Sequence, residues 1–180
     1  MMFKNLEEGS VIWLTGLPGS GKTTIARGLE KYFKDNEYRI EVLDGDFVRK
    51  NLSPDLGFTK EERDQHNKRV IFLSNLLARN GVIVIVSLIS PYRKVRDFAR
   101  SELNKFFEVF VKCSIEKCIE RDPKGLYKKA LNGEIKDMTG IQHPYEEPLN
   151  PEVIVDTERE KTNESILKII SRVEELGYLI

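Results

Sequence analysis

Gly16-Leu17-Pro18-Gly19-Ser20-Gly21-Lys22-Thr23 is the stretch whose reading decides the fold. It fits G-x-x-x-x-G-K-[ST], a loop whose backbone N–H groups cradle phosphate oxygens. Its flanks are those the loop needs. Val11-Ile12-Trp13-Leu14-Thr15 before it is a short apolar run, the pattern of a strand buried on both faces. After it, Ile25, Leu29, Tyr32 and Phe33 recur at helical spacing. Strand, glycine loop and helix together aim several amides and the positive helix end at one anion. In such a loop Gly16, Gly19 and Gly21 let the backbone approach the phosphates, with Leu17, Pro18 and Ser20 between them. Lys22 is expected to reach the β and γ phosphates, and Thr23 to offer its hydroxyl to Mg²⁺.

Outward from the loop, apolar strands and amphipathic helices alternate to the end of the chain. Strands are expected at residues 11–15, 40–43, 82–87, 107–111 and 153–155. Helices are expected at 21–34, 47–51, 64–79, 94–103, 115–121 and 163–176, the last capped by Thr162 or Asn163. Alternation of this kind predicts an α/β fold: a parallel sheet with helices on both faces, the three-layer sandwich of the P-loop nucleoside triphosphatases. A length of 180 residues suits one domain, 1–180. One segment interrupts the alternation. From Asp122 to Pro151 there is no apolar period, but three glycines, four prolines and mixed charges. A stretch this long reads as a lid that keeps water from the γ-phosphate, or else as a surface insertion.

Composition excludes several classes. Lys+Arg and Asp+Glu are 29 each, so no net charge draws the chain to nucleic acid or a membrane surface. The longest apolar run, Val82 to Val86, is too short to span a bilayer. Met1 to Glu8 lacks a secretory apolar core, and two cysteines make no disulfide framework. The expectation is a cytoplasmic protein with no nucleic-acid partner and no membrane partner. A guanine-reading Asn-Lys-x-Asp is missing as well, which argues against a GTP-type switch.

Ligands of an open parallel sheet lie beyond the carboxyl ends of its strands. Leu43-Asp44-Gly45-Asp46 ends the second strand there, so its two carboxylates face the phosphate loop. One could ligate Mg²⁺ and the other could orient an acceptor hydroxyl and take its proton. The third strand ends in Ser87-Leu88-Ile89-Ser90-Pro91 and supplies no carboxylate, which adds weight to Asp46; either aspartate could serve either need, and Asp44 joins Thr23 as the candidate metal ligand. Arg49 shares a helical face with Asp46. Arg63 and Arg69 belong to a charged helical run that is either a solvated face or an anion clamp. Phe58, in a glycine-containing loop, is either core or a platform for a base. Ser90 suits substrate binding, and no histidine base adjoins it.

Taken in order, these blocks resemble the adenylylsulfate kinase (adenosine 5′-phosphosulfate kinase) family across nearly the whole chain. The likeness rests on Gly16–Thr23, on Leu43–Asp46 with Arg49, and on Asp55-Leu56-Gly57-Phe58. It continues through Ile89-Ser90-Pro91, Arg121 to Ala130, Thr139-Gly140-Ile141 and Pro144-Tyr145-Glu146. It implies transfer of the ATP γ-phosphoryl group to the 3′-hydroxyl of adenosine 5′-phosphosulfate (APS), in sulfate assimilation. The same resemblance implies Asp46 as the acceptor-side carboxylate, Arg49 and Arg63 on the phosphosulfate, and Phe58 stacked on the acceptor adenine. His66, Ile89, Ser90, Lys124, Asp137 and Met138 complete the implied acceptor site. Family descriptions make the serine matching Ser90 a phosphoserine intermediate, although in-line transfer requires no covalent step. A homodimer and a fused or neighbouring ATP sulfurylase are further implications. Two positions depart from the family pattern: Met138 stands where an aromatic usually precedes Thr-Gly-Ile, and His66 where an asparagine is usual.

Overall fold

A computed structural model describes residues 3–4 and 6–179. Met1, Met2 and Asn5 lie outside the described residues, and with them part of the N-terminal segment read above. The sheet is parallel throughout, in the order β2-β3-β1-β4-β5: Ile40–Asp44, Ile83–Ser87, Val11–Thr15, Phe106–Lys112 and Val153–Asp156. Seven helices accompany it among the described residues. They are α1 Lys22–Asp35, α2 Gly45–Leu52, α3 Lys60–Ala78, α4 Arg93–Glu102, α5 Ile115–Arg121, α6 Leu126–Leu131 and α7 Thr162–Glu175.

Strand alternation sorts the core into two layers. Ile12, Leu14, Ile83, Ile85, Phe107, Val109 and Val111 face one way and pack under α1 and α7 through Ile25, Leu29, Phe33, Ile169 and Val173. Val11, Trp13, Val84, Val86 and Phe106 face the other way, under α2, α3 and α4 through Val48, Val70, Ile71, Val95 and Ala99. With both faces covered, β1 and β3 are buried at every residue. This is the three-layer α/β sandwich expected from the alternation.

Three details differ from expectation, each for a local reason. Helix α3 begins at Lys60, not residue 64, because Thr59 and Glu62 form a capping box ahead of the apolar face. Helix α7 is not capped by Thr162 or Asn163; the Glu164 carboxylate accepts from the Lys161 N–H at 2.9 Å. The 122–151 segment holds a short helix of its own, α6, too brief to show a period. Asp122 starts it by accepting from the N–H groups of Tyr127 and Lys128 at 3.1 and 3.0 Å. Tyr127, Ala130 and Met138 from this segment join Cys113 and Cys118 in a third, smaller core. The Tyr127 hydroxyl donates to the Pro18 carbonyl at 2.9 Å and so ties the segment to the phosphate loop.

Candidate active site

The carboxyl ends of β1, β2 and β3 open into one cavity of about 1060 Å³. Its floor is the glycine loop. Gly21 sits at φ 100°, a left-handed turn that directs the chain into α1. Gly16 is needed for another reason: a Cβ there would lie 2.5 Å from the Val111 carbonyl oxygen. Lys22 is buried, and its Nζ donates to the carbonyls of Gly16 and Leu17 at 2.9 and 2.7 Å. Burial lowers its pKa to about 8. A desolvated cation in a cradle of amides is suited to an anion with several charges.

The two aspartates at the junction of β2 and α2 point apart. Asp44 turns back toward α1: its Oδ2 accepts from the Thr23 hydroxyl at 3.2 Å, and its Oδ1 caps the N–H of Asp46 at 3.2 Å. Thr23 and Asp44 thus present adjacent hard oxygens on the cavity wall, a donor set that suits Mg²⁺ shared with phosphate oxygens. Asp46 faces the other way and ion-pairs with Lys124, which comes from the 122–151 segment. This contact joins the start of α2 to the 122–151 segment.

Opposite the loop stands Phe58, 54% exposed, with the guanidinium groups of Arg49 and Arg63 at 4.7 and 5.5 Å from its ring centre. Local bonding fixes all three. Arg49 Nη1 donates to the Gly57 carbonyl at 2.7 Å, and Arg63 Nε to the Phe58 carbonyl at 2.8 Å. Glu62 accepts from the N–H groups of Gly57 and Thr59 at 2.9 and 3.0 Å. Burial, and then the positive charge of Arg63, hold Arg49 below the usual arginine range. Two guanidinium groups pressed together beside an open aromatic face invite a flat, acidic ligand.

His66 is buried at the cavity edge, with Nδ1 2.9 Å from the Ser53 hydroxyl. Burial, with Arg49 and Arg69 nearby, lowers its pKa to about 4, so the ring is neutral at pH 7. Ile89 and Ser90 form the wall between Phe58 and the loop. Ser90 is 3% exposed, and its Oγ accepts from the Trp13 indole at 3.0 Å. That bond holds the hydroxyl in the cavity wall.

The structure therefore gathers Lys22, Thr23, Asp44, Asp46, Arg49, Phe58, Arg63, His66, Ile89, Ser90 and Lys124 around one space. It does not bring Asp137 or Met138 to that wall. Met138 is buried in the third core, in one apolar cluster with Tyr127 and Cys118. The Asp137 carboxylate bonds His143 Nε2 at 2.8 Å, while its carbonyl accepts from Arg63 Nη2 at 2.5 Å. Arg69, the third candidate cation, makes a two-pronged pair with Asp55 at 2.6 and 2.7 Å and supports the loop from behind. Sequence reasoning missed Thr157, which lines the cavity and bonds both the Ser20 carbonyl, at 2.9 Å, and Arg121 Nη1, at 3.0 Å. Its position one residue past β5 was the available signal.

A glycine loop with a buried lysine, a hydroxyl–carboxylate pair beside it and, in the same cavity, an aromatic face flanked by two guanidinium groups point to a P-loop kinase. The comparisons narrow this class. The model of the adenylylsulphate kinase family matches residues 8–156. An adenylyl-sulfate kinase of Rippkaea orientalis is 56% identical over 96% of this chain and 96% of its own length. A probable adenylyl-sulfate kinase of Pyrococcus abyssi is 54% identical over 96% and 99%. Among solved structures, the Mycobacterium tuberculosis APS kinase CysC, in complex with AMPPNP and APS, superposes with a TM-score of 0.90. It is 37% identical, over 94% of this chain and 99% of that one. The chain belongs to the adenylylsulphate kinase family.

Proposed function

We propose that this enzyme transfers the γ-phosphoryl group of ATP to the 3′-hydroxyl of APS, giving ADP and 3′-phosphoadenylylsulfate. One observation carries the reading: the cavity holds a phosphate cradle on one side and, on the other, an aromatic face flanked by two guanidinium groups. An acceptor that fits the second half needs a base to stack and an acidic tail to clamp, and a nucleotide phosphosulfate has both.

In this reading Gly16 to Thr23 grip the triphosphate and Lys22 neutralises charge on its β and γ groups. Arg49 and Arg63 hold the phosphosulfate, Phe58 carries the acceptor adenine, and Ile89, Ser90 and His66 line its pocket. Asp46 accepts the 3′-hydroxyl proton as that oxygen bonds to the γ-phosphorus; the bond from phosphorus to the β–γ bridging oxygen breaks, and ADP leaves with the electron pair. Lys124, beside Asp46, neutralises charge spreading over the transferred group. Thr23 and Asp44 would hold Mg²⁺, which would supply further neutralisation of the phosphate oxygens. The chain acts as one kinase domain, 1–180, whose 122–151 segment covers the cavity. Work in the cytoplasm as a homodimer, next to or fused with the sulfurylase step, completes the proposal.

The test is an acceptor panel. Purified protein with ATP and Mg²⁺ is expected to release ADP with APS and not with AMP or shikimate. Turnover of another acceptor without turnover of APS overturns the reading.

A further inference from the structure

The wall formed by Ile89 and Ser90 owes its shape to residues outside the cavity. Ser90 adopts φ 37°, a left-handed conformation that a non-glycine residue keeps only when its surroundings impose it. One of those surroundings is an arginine. Arg96, on α4, is 2% exposed and spends its guanidinium in three directions. Nη1 donates to the Ser90 carbonyl at 2.6 Å, Nη2 to the Glu146 carbonyl at 2.5 Å, and Nε to the Glu108 carboxylate at 2.8 Å. Glu108 sits in the middle of β4, in register with Trp13 of β1, and is itself buried. It also meets Arg100 at 3.3 Å, and Arg100 closes on Glu152 at 2.5 and 2.9 Å.

A buried ion pair is a poor source of net stability, because desolvation offsets most of the attraction. Its geometry is the more informative property. The guanidinium fork is planar, so three fixed acceptors determine one another's positions. Here they are the wall, the strap of residues 144–147, and the central sheet. A second link runs in parallel. The Thr15 hydroxyl donates to the Ile89 carbonyl at 2.8 Å and lies 2.9 Å from the Tyr145 hydroxyl, which therefore donates to it. The Tyr145 ring stacks on Phe110 at 6.0 Å, and the Glu146 N–H donates to the Pro91 carbonyl at 2.8 Å. The carbonyls of Ile89 and Ser90, and the strap that braces them, are thus all tied down from behind the acceptor half.

We infer that Arg96 is a positioning residue for the acceptor: it clamps the Ile89–Ser90 wall to the 144–147 strap and touches no substrate itself. The inference rests on the acceptor reading proposed above. It sets Arg96 apart from residues of the phosphate loop, with which its three described bonds share no atom.

Steady-state kinetics of the whole chain test it. Arg96→Lys keeps a charge for Glu108 but loses the fork; the KM for APS is expected to rise about tenfold, with the KM for ATP within twofold of the parent. A pair, Arg96→Gln with Glu108→Gln, removes both buried charges and leaves the Ser90 and Glu146 carbonyls without their donor. It is expected to give the same split should the lysine variant fail to fold, as judged by circular dichroism. An unchanged KM for APS in a folded variant, or equal rises in both KM values, overturns the clamp. A parent protein that makes no ADP from APS overturns the acceptor reading instead, so the two failures are distinct.

Discussion

The two halves of the cavity are built in opposite ways. The phosphate half is local: eight consecutive residues, with Lys22 bonded to carbonyls only five and six positions away. The acceptor half is assembled from afar. Phe58, Arg49 and Arg63 hold one another locally, but Arg63 also reaches Asp137, Lys124 pairs with Asp46, and Tyr145 reaches back to Thr15, 130 positions away. A local motif carries its geometry with it wherever a strand and helix flank it. An assembled wall depends on tertiary contacts, so its failures should appear in the acceptor's kinetics while ATP handling survives.

The strongest way to probe that division is at its seam. Asp46→Asn is expected to lower turnover by about two orders of magnitude, the usual scale for a base and positioning group, with the KM for ATP unchanged. Near-parental turnover in stopped or coupled ADP assays removes Asp46 from the chemistry. Phe58→Ala breaks the acceptor half alone. Stacking of one base is worth about 1–3 kcal/mol, so the KM for APS should rise about 5- to 150-fold, and ATP binding by calorimetry should not move.

pH separates the halves from the other side. Lys22 has a pKa of about 8, lowered by burial, and only its charged form neutralises phosphate. ATP affinity should be full below pH 8 and weaken as pH rises through it, by at most about tenfold at pH 9, where about a tenth of the free enzyme keeps the proton. A flat affinity from pH 7 to 9 contradicts this. The sign for folding is the reverse. The unfolded chain holds this proton more tightly, so the lysine's burial penalty shrinks as pH rises from 8 toward 10.5. The smallest effect belongs to the third core. Met138→Phe adds bulk to a buried position and should cost about 1–3 kcal/mol. That is a melting temperature lower by several degrees in calorimetry. A tighter KM for APS in this variant would instead bring Met138 back to the acceptor.

The same contrast explains what the residues disclosed unaided. Strand β1, the loop and α1 follow from apolar spacing and three glycines, because each of their determinants lies within a few positions. Asp44 and Asp46 were legible as a pair at a strand end, but not their separate partners, Thr23 and Lys124, which arrive from elsewhere. The first turn of α3 was missed although Thr59 and Glu62 announce it; the apolar face begins later, at Val70. Glu108 was passed over inside an apolar strand. A lone carboxylate among Phe106, Phe107, Val109 and Phe110 demands a cationic partner, and Arg96 and Arg100 stood one turn apart on the preceding helix.

Glu62 has a consequence for how the enzyme breathes. Its carboxylate closes the first turn of α3 and also holds the amides on either side of Phe58. Fraying of that turn therefore frees the aromatic ring in the same event, and exchange of the Gly57 and Thr59 amide protons with solvent should report both at once. The bonds from those amides keep the Glu62 carboxyl below the ordinary carboxylate range. Protonating it would weaken the support of the ring and the first turn of the helix together.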